Sequence, residues 1–359
     1  MSDSVHIFLG ANSGTGFYSL YEQLLHGRLD DLLIIKGGPG CGKSSFMRTV
    51  AEKLSSQGLE TIYVNCSGDP DSLDGVLLPE IKTGLVDGTS PHVLEPTYTV
   101  ATERYVDLTR FYDVAAAKAR REEIVGHSDA YRAAYAAAYR ILRAVDGLSE
   151  EQRSVAHAAM DFARLSRRLE SVVRRELKPK RAAGQGRLDR VFLGGLTHRG
   201  ELCRYDSAKI LCPRLCILAD SYGFAAKALE GIAAQAAAAG WDVLVGQNPD
   251  RPREAMHVLI PAAGLGFVTS SARLPYEGES WRRLRLDAMA EAELSRADKA
   301  RLRLLKRMER ELRQEAVEAL SRAKAEHDAL EATYNPCVDF DGVYALAAEE
   351  AERLAGYRG

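Results

Sequence analysis

One short segment of the chain combines residue types that hold phosphate groups. It reads Gly37-Gly38-Pro39-Gly40-Cys41-Gly42-Lys43-Ser44-Ser45, and from Gly37 to Ser44 it fits the phosphate-binding loop pattern G-x-x-x-x-G-K-[ST]. Glycines allow the backbone to curl so that successive N–H groups point at an anion, and a following helix adds its positive end. The segment therefore predicts a site for a nucleoside triphosphate, ATP or alternatively GTP.

The polar residues of this segment have distinct expected roles. We expect the Lys43 ammonium to reach the β- and γ-phosphates, the Ser44 hydroxyl to bind Mg2+ and Ser45 to lie near the α-phosphate. Asp87 is the candidate carboxylate for catalysis and for the magnesium shell, because it ends a short apolar strand. An equally good interpretation is that Asp87 only opens the turn Asp87-Gly88-Thr89.

Other polar residues near the loop are weaker candidates. Asp69, Asp71 and Asp74 form an acidic cluster, for which turn formation and capping are the better interpretation. His92 and Glu103 are candidates for orienting an attacking water, although a structural or solvated role is the simpler expectation for each.

The flanking sequence predicts the elements that position the loop. Leu32 to Ile35 form an apolar run typical of a buried strand, and the residues after the loop have the spacing of a buried helix face, which Gly58 should end. Thr61 to Val64 predict the next strand. This strand–loop–helix–strand order favours an α/β fold with a parallel sheet of the P-loop NTPase type.

The chain contains an internal duplication. Shifted by 182 residues without a gap, the α/β parts match at turns and strands, for example Gly58 with Gly240 and Gly84 with Gly266. The same offset places Ala225 opposite Lys43, Ala226 opposite Ser44 and Thr269 opposite Asp87, and Asp220 adds a negative charge where phosphate should lie. We therefore expect one competent site and one degenerate site.

Two stretches rich in Ala, Arg, Glu and Leu predict long helices. The first should be an antiparallel hairpin broken at Asp146-Gly147-Leu148-Ser149, with Ser149 and Gln152 as a capping box, and the second should be one long helix ended by Asn335-Pro336. The predicted units are a P-loop module (1–112), a helical hairpin (113–180), a degenerate module (181–280) and a helical segment (281–359).

Composition limits the function classes. The 359 residues are 46% hydrophobic and 27% charged with a net charge of -2, and no apolar run is long enough to cross a membrane. This net charge gives no overall attraction to nucleic acid, so we do not expect nucleic acid as a partner. A basic cluster from Arg174 to Arg181 is the one candidate for contact with a polyanion. The start lacks the features of a signal peptide, so we expect a cytoplasmic protein in which the six cysteines are thiols. Cys203, Cys212 and Cys216 are better explained as small buried residues than as metal ligands.

Four segments together resemble a poorly characterised group of bacterial ATPase-like proteins with two tandem P-loop modules and helical insertions. They are Gly10 to Phe17, Lys36 to Ser45, Cys66 to Gly75 and Asp87 to His92, and the similarity covers nearly the whole chain. The resemblance implies ATP binding but no substrate, because the group has no settled role. Its members often have two competent modules, and the second loop of this chain departs from that pattern.

Three functions are compatible with these features. The first is an Mg2+-dependent ATPase whose hydrolysis moves the helices against a protein partner, and the long helices favour it. The second is a small-molecule kinase, in which Asp69 or Asp71 holds an acceptor hydroxyl. The third is a nucleotide-sensing scaffold with negligible turnover. In the first two, an arginine of the second module, Arg199, Arg251 or Arg253, is a candidate arginine finger.

Overall fold

Two six-stranded sheets and a pair of long helices make up the chain. The computed structural model describes residues 4–25, 28–178 and 184–358. We call residues 4–25 and 28–112 lobe 1 and residues 184–285 lobe 2. The elements up to residue 178 are β1 (Val5–Ile7), β2 (Gly10–Ser13), β3 (Gly16–Ser19), α1 (Tyr21–Leu25), β4 (Asp31–Lys36), α2 (Lys43–Ser56), β5 (Ile62–Asn65), β6 (Leu73–Leu78), β7 (Thr83–Asp87), β8 (Glu103–Asp107), α3 (Val114–Ala119), α4 (Arg121–His157) and α5 (Phe162–Glu176).

The predicted strand, helix and strand around the loop are confirmed in lobe 1. Strand β4 is buried from Leu32 to Ile35, and α2 buries the face predicted from its apolar spacing. Gly58 follows α2 with a φ of +84°, a conformation that glycine adopts without strain, and β5 begins four residues later. These elements place the glycine-rich loop at the end of a buried strand and the start of a helix.

The sheet of lobe 1 is mixed, which corrects the expectation of a parallel sheet. Its strand order is β1-β5-β6-β7-β4-β8. Strand β4 is parallel to both β7 and β8, and β1 is parallel to β5, whereas β5, β6 and β7 pair antiparallel. The cause is connection length, because only four residues join β6 to β7 and a parallel connection needs about a dozen or more.

Lobe 2 repeats this architecture. Its sheet order, β9-β13-β14-β15-β12-β16, and its pattern of parallel and antiparallel pairs match those of lobe 1. The two sheets therefore fit an internal duplication. The remaining elements are β9 (Leu188–Val191), β10 (Gly194–Thr197), β11 (Gly200–Cys203), α6 (Tyr205–Leu211), β12 (Arg214–Ala219), α7 (Ala226–Ala238), β13 (Val243–Gln247), β14 (Ala255–Ile260), β15 (Leu265–Ser270), β16 (Arg282–Arg285), α8 (Leu286–Glu291), α9 (Arg296–Tyr334) and α10 (Phe340–Ala355).

The two longest helices, α4 and α9, pack against each other along their length, and we call them the helical arms. They run antiparallel, because His127 contacts Glu326 near one end and Gln152 contacts Glu309 near the other. None of the helices in the described residues is long and apolar enough to cross a membrane. Asn335-Pro336 ends α9, as predicted.

The predicted break at Asp146–Ser149 is wrong, because α4 continues through it to His157. Ser149 donates to Glu309 at 3.2 Å instead of capping a helix, and Gln152 also contacts Glu309. The tertiary contact with α9 therefore overrides the local signal of Gly147. The chain turns later, where Asp161 caps α5 by accepting from the Arg164 amide at 2.9 Å.

The helices that follow the two arms are exchanged between the lobes. Helix α5 follows the arm that leaves lobe 1 but packs on α7 of lobe 2, and α10 follows the arm that leaves lobe 2 but packs on α2 of lobe 1. At the centre, the amides of Phe8 and Phe192 donate to each other's carbonyl oxygens at 2.8 Å. Such reciprocal contacts are what a twofold relation between duplicated lobes produces.

Candidate phosphate-binding site

The glycine-rich loop of lobe 1 is curled as predicted. Gly40 and Gly42 have φ values of +70° and +83°, which strain any residue with a Cβ, and α2 begins at Lys43 directly after them. A Cβ on Gly37 would collide with the Sγ of Cys41, and burial raises the pKa of that thiol, so Cys41 packs as a neutral side chain. Sequence spacing alone predicted this local geometry.

The Lys43 side chain folds back into the loop. Its ammonium donates to the carbonyl oxygens of Gly37 at 3.0 Å and Gly38 at 2.9 Å, and it lies 3.6 Å from the Oδ2 of Asp87. The side chains of Lys43 and Asp87 are each 13% exposed. The loop therefore holds one largely buried cation beside a carboxylate at the end of the neighbouring strand.

Both interpretations of Asp87 are compatible with its contacts. Its Oδ1 accepts from the amide of Thr89 at 2.9 Å and from the Thr89 hydroxyl at 2.6 Å, so it does open the turn. Its Oδ2 faces Lys43 instead. A single carboxylate thus fixes its own orientation with one oxygen and presents the other to the loop.

The oxygen donors at the loop suit Mg2+, which prefers carboxylate, hydroxyl and phosphate oxygens. Ser44 lies in the first turn of α2, and its Oγ accepts from the Leu73 amide at 2.9 Å, which fixes the hydroxyl at the start of β6. Ser45 follows it and is half-buried. The residues present therefore fit a magnesium ion held by Ser44 and Asp87.

A second carboxylate lies beside Asp87. Gly75 of β6 pairs with Val86 of β7. Asp74 and Asp87 are the next residues at the same end of these two antiparallel strands. The Oδ2 of Asp74 accepts from the Tyr21 hydroxyl at 3.2 Å and lies 3.3 Å from the Nε2 of His92. Although burial lowers it, the pKa of His92 is raised overall by this carboxylate. Asp74 and His92 are thus buried partners at the sheet edge, which corrects the expectation that Asp74 only forms a turn.

The other acidic candidates have structural partners. Asp69 accepts from the Ser72 hydroxyl at 3.1 Å, as a turn residue does, and Asp71 forms an ion pair with Arg199. Glu103 accepts from the Tyr98 amide at 3.2 Å and is buried under its own loop. Asp69 and Glu103 thus have the turn and structural roles expected for them, whereas the Asp71 carboxylate pairs with lobe 2 instead of forming a turn or cap.

Of the three candidate arginines, one lies beside lobe 1. Arg199, at the turn between β10 and β11 of lobe 2, reaches Asp71 of lobe 1. Arg251 pairs with Glu150 of α4 at 3.0 Å, and Arg253 is exposed at the side of lobe 2. The structure therefore separates Arg251 and Arg253 from the loop of lobe 1.

The end of α9 covers the loop, a contact that sequence reasoning missed. A Cβ on Gly40 would lie 3.1 Å from the Cα of Glu331, and the Asn335 amide donates to the Gly40 carbonyl at 3.1 Å. Tyr112, which precedes α3, donates its hydroxyl to the Pro39 carbonyl at 2.9 Å. Only long-range packing brings these residues to the loop, so no local sequence signal could have found them.

Helix α4 presents a row of tyrosines to the same side of lobe 1. Tyr131 and Tyr135 have ring centroids 5.0 Å apart, and Tyr131 lies 5.5 Å from the His327 ring of α9. Burial raises the pKa of Tyr131 to about 12, with smaller contributions from Cys66, Asp74 and Asp87. The four-residue spacing of Tyr131 and Tyr135 places them on one face of α4.

The loop of lobe 2 is filled by its own carboxylate. Asp220 accepts from the backbone amides of Phe224 and Ala225, both at 2.9 Å, and of Tyr222 at 3.2 Å. It is 6% exposed, and Gly223 has a φ of +69°, close to the value at Gly40. The ring of amides that would bind a phosphate is thus preserved, but Asp220 occupies it.

The structure corrects the duplication register by one residue at this loop. Strand pairing places Leu32 beside Gly84 in lobe 1 and Leu215 beside Gly266 in lobe 2. Equivalent residues of the two lobes therefore differ by 183 in number up to the start of α2 and α7, and by 182 after these helices. The counterparts of Lys43 and Ser44 are therefore Ala226 and Lys227, not Ala225 and Ala226. Thr269 remains the counterpart of Asp87.

We expect Asp220→Ala to destabilise lobe 2. The change leaves three backbone N–H groups without their acceptor, and each buried unpaired donor costs about 1–3 kcal/mol, partly offset by the loss of a buried charge. The expected net loss is about 2 kcal/mol in urea unfolding. Asp206→Ala, which removes an exposed carboxylate from α6, is the matched control. Equal stability of the two variants would show that the Asp220 bonds contribute nothing.

The structure adds little support for the candidate metal ligands and the candidate polyanion-binding cluster outside the loop. Cys212 and Cys216 are buried in the packed core, as expected, and Cys203 lies 3.9 Å from His257. Within the described ranges, one group of side chains could hold a metal ion, His327, Asp328 and Glu331 on α9. In the basic cluster, Arg174 and Arg175 end α5, whereas Lys180 and Arg181 lie outside the described residues.

No protein-family model, curated protein or solved structure matches this chain. Its function is therefore inferred from the residues and contacts described above.

Proposed function

We propose that lobe 1 binds a nucleoside triphosphate together with Mg2+ and hydrolyses it at a single site, and that hydrolysis moves the helical arms. ATP is the expected nucleotide and GTP the alternative. The observation that carries the proposal is the Lys43 ammonium inside a curled glycine loop, 3.6 Å from Asp87 at the end of the adjacent strand. The resemblance to ATPase-like proteins with tandem P-loop modules supports it.

The chain's own residues supply the binding chemistry. Amides of the loop and the start of α2, a 14-residue helix, would surround the phosphates, and Lys43 would exchange its carbonyl partners for phosphate oxygens. Ser44 and Asp87 would hold Mg2+, which neutralises charge on the β- and γ-phosphate oxygens when bound. Asp74, fixed by Tyr21 and His92, is the carboxylate we assign to orient the attacking water.

Hydrolysis would be coupled to the helical arms through the contacts that the loop makes with them. Gly40 touches Glu331 and Asn335 at the end of α9, and Pro39 accepts from Tyr112 just before α3 and α4. A change in the loop on loss of the γ-phosphate would act on both arms at once. Because the arms pack antiparallel and reach lobe 2, that displacement would be carried between the lobes.

Two features favour hydrolysis at one site over the alternatives. Asp69, one of the two candidates for holding the acceptor hydroxyl in a kinase, accepts from Ser72, and Asp71, the other, forms a surface ion pair with Arg199. In lobe 2, Asp220 fills the amide ring, and Ala226 stands in place of Lys43.

Phosphate release is the test of the proposed activity. Purified protein with Mg2+ and ATP, without any added acceptor, should release inorganic phosphate, and Asp87→Asn should reduce the rate at least tenfold by weakening the magnesium shell. Asp107→Asn, at the exposed end of β8 on the other side of β4, is the matched control and should keep the rate. Turnover only with an added metabolite would instead indicate a kinase, and tight binding without turnover would indicate a scaffold.

A further inference from the structure

A cavity of about 800 Å³ lies between α5 and α7 of lobe 2. One end is formed by the degenerate loop at Gly223 and Phe224, just before α7, and the α5 side includes the exposed side chains of Phe162 and Ala163. Its volume falls within the range of small-molecule binding sites in proteins. The proposed nucleotide site in lobe 1 does not include it.

Lobe 1 has a different helix beside its loop. There α10 packs on α2, and a Cβ on Gly42 would meet Phe340 and Val343 at 3.4–3.6 Å. In lobe 2, Gly231 on α7 lines the cavity, and a Cβ added to it would meet no atom within 4 Å. The space beside Gly231 on α7 is therefore open.

Aromatic rings stand at the loop end of the cavity. His157, Phe162 and Phe224 have ring centroids 5.1 to 6.4 Å apart, and all three line the space. Phe162 is 38% exposed although it is a large apolar side chain. Such a cluster favours a planar ring as its ligand, because offset and edge contacts between rings add to the burial of apolar surface.

Some charged side chains that line the cavity form ion pairs and others do not. Arg153 is bound to Glu254 at 2.6 Å, and Glu230 is bound to Arg190. Lys227 and Arg253, at the loop end, have no ion pair within the described part of the chain. The carboxylate of Glu170 lies on α5, two turns beyond Phe162. The loop end is therefore cationic, and the positive end of α7, a 13-residue helix, adds to it.

We propose that this cavity binds a small organic anion that carries a planar ring. The ring would pack on His157 and Phe162, with the buried Phe224 behind them, and the anionic group would pair with Lys227 and Arg253. The triphosphate of a nucleotide is not the expected ligand, because the Asp220 carboxylate already occupies the amides of the loop. Lobe 2 would then have exchanged a nucleotide site for a site of different chemistry.

The dye 1-anilinonaphthalene-8-sulfonate, a ring-bearing anion, is the probe that tests this site. The folded protein should bind one dye molecule saturably, seen as a rise in fluorescence. Gly231→Leu should fill the cavity and weaken binding at least tenfold while raising Tm, because it also removes a helical glycine. Gly126→Leu, at an exposed position of α4 with open space around it, is the matched control and should bind the dye normally.

A second variant keeps the proposal testable if Gly231→Leu alters the fold. Lys227→Gln with Arg253→Gln leaves the apolar walls intact and should weaken dye binding about tenfold, the loss expected for a charge-assisted contact. Saturable binding that both variants leave unchanged, or no saturable binding by the folded protein, would overturn the proposal. Nucleotide binding by lobe 1 is measured separately and does not depend on the result.

Discussion

Lys43→Ala should remove nearly all ATP-dependent stabilisation of the protein. In the wild type, the ammonium is positioned to form charge-assisted bonds to phosphate oxygens, and each such bond contributes about 1.5–3 kcal/mol. Loss of two of them lowers affinity by about 100-fold or more. At a ligand concentration 100 times the wild-type Kd, stabilisation should fall from about 2.7 kcal/mol to about 0.4 kcal/mol, seen as a lost shift in Tm with Mg2+ and ATP.

Lys53→Ala is the matched control for this result. Lys53 lies on the same helix three turns from the loop and forms a surface ion pair with Glu352, a kind of contact that contributes little to stability. This variant should keep the full ATP-dependent shift. If Lys43→Ala is stabilised by ATP as strongly as Lys53→Ala, the loop does not bind the phosphates.

Arg313→Met should strongly destabilise the protein. The Arg313 guanidinium is 7% exposed, donates to Asp250 at 2.6 Å and to Glu309 at 2.8 Å, and lies 2.9 Å from Glu201. Arg273 bridges the same three carboxylates. Methionine keeps the apolar stem but leaves buried carboxylates without their central partner, which costs about 3–5 kcal/mol. Urea unfolding of the variant measures the loss.

The pH dependence of this loss has a defined sign. Burial raises the pKa of Asp250, but Arg313 and Arg273 outweigh it and hold that pKa far below its usual value. Wild-type stability from Asp250 is thus present above its unfolded pKa of about 3.9 and lost as the pH falls further. The difference between wild type and Arg313→Met should therefore shrink below about pH 4.

Arg322→Met is the control for Arg313→Met, because Arg322 is exposed on the same helix and has no ion pair among the described residues. Its stability should stay within about 0.5 kcal/mol of the wild type. If Arg313→Met also loses no more than this in free energy of unfolding, the buried ion pairs around Asp250 do not hold lobe 2 to α9.

Local geometry was the part of the structure that the sequence predicted best. The residues from Leu32 to Leu54 carry a strand, a glycine loop and a helix in one continuous segment, and each signal depends only on neighbours a few residues apart. The proximity of Lys43 to Asp87 followed from the rule that parallel strands end at one edge of a sheet, and β4 and β7 are indeed parallel.

The rest depended on contacts between distant segments. The break expected at Gly147 failed because α9 packs against α4 there, and the one-residue shift at the lobe 2 loop needed the observed strand register. The four-residue link between β6 and β7 was a local signal for antiparallel pairing that the sequence interpretation did not use. The bonds of Asp220 to its own loop explain why its charge is tolerated there.

Calorimetric titration of the full chain with ATP and with GTP, each in Mg2+, tests the central claim most directly. One triphosphate bound per chain, with binding abolished by Lys43→Ala, is the expected result. Two molecules bound per chain would contradict the closed loop of lobe 2, and no binding of either nucleotide would contradict the phosphate site of lobe 1.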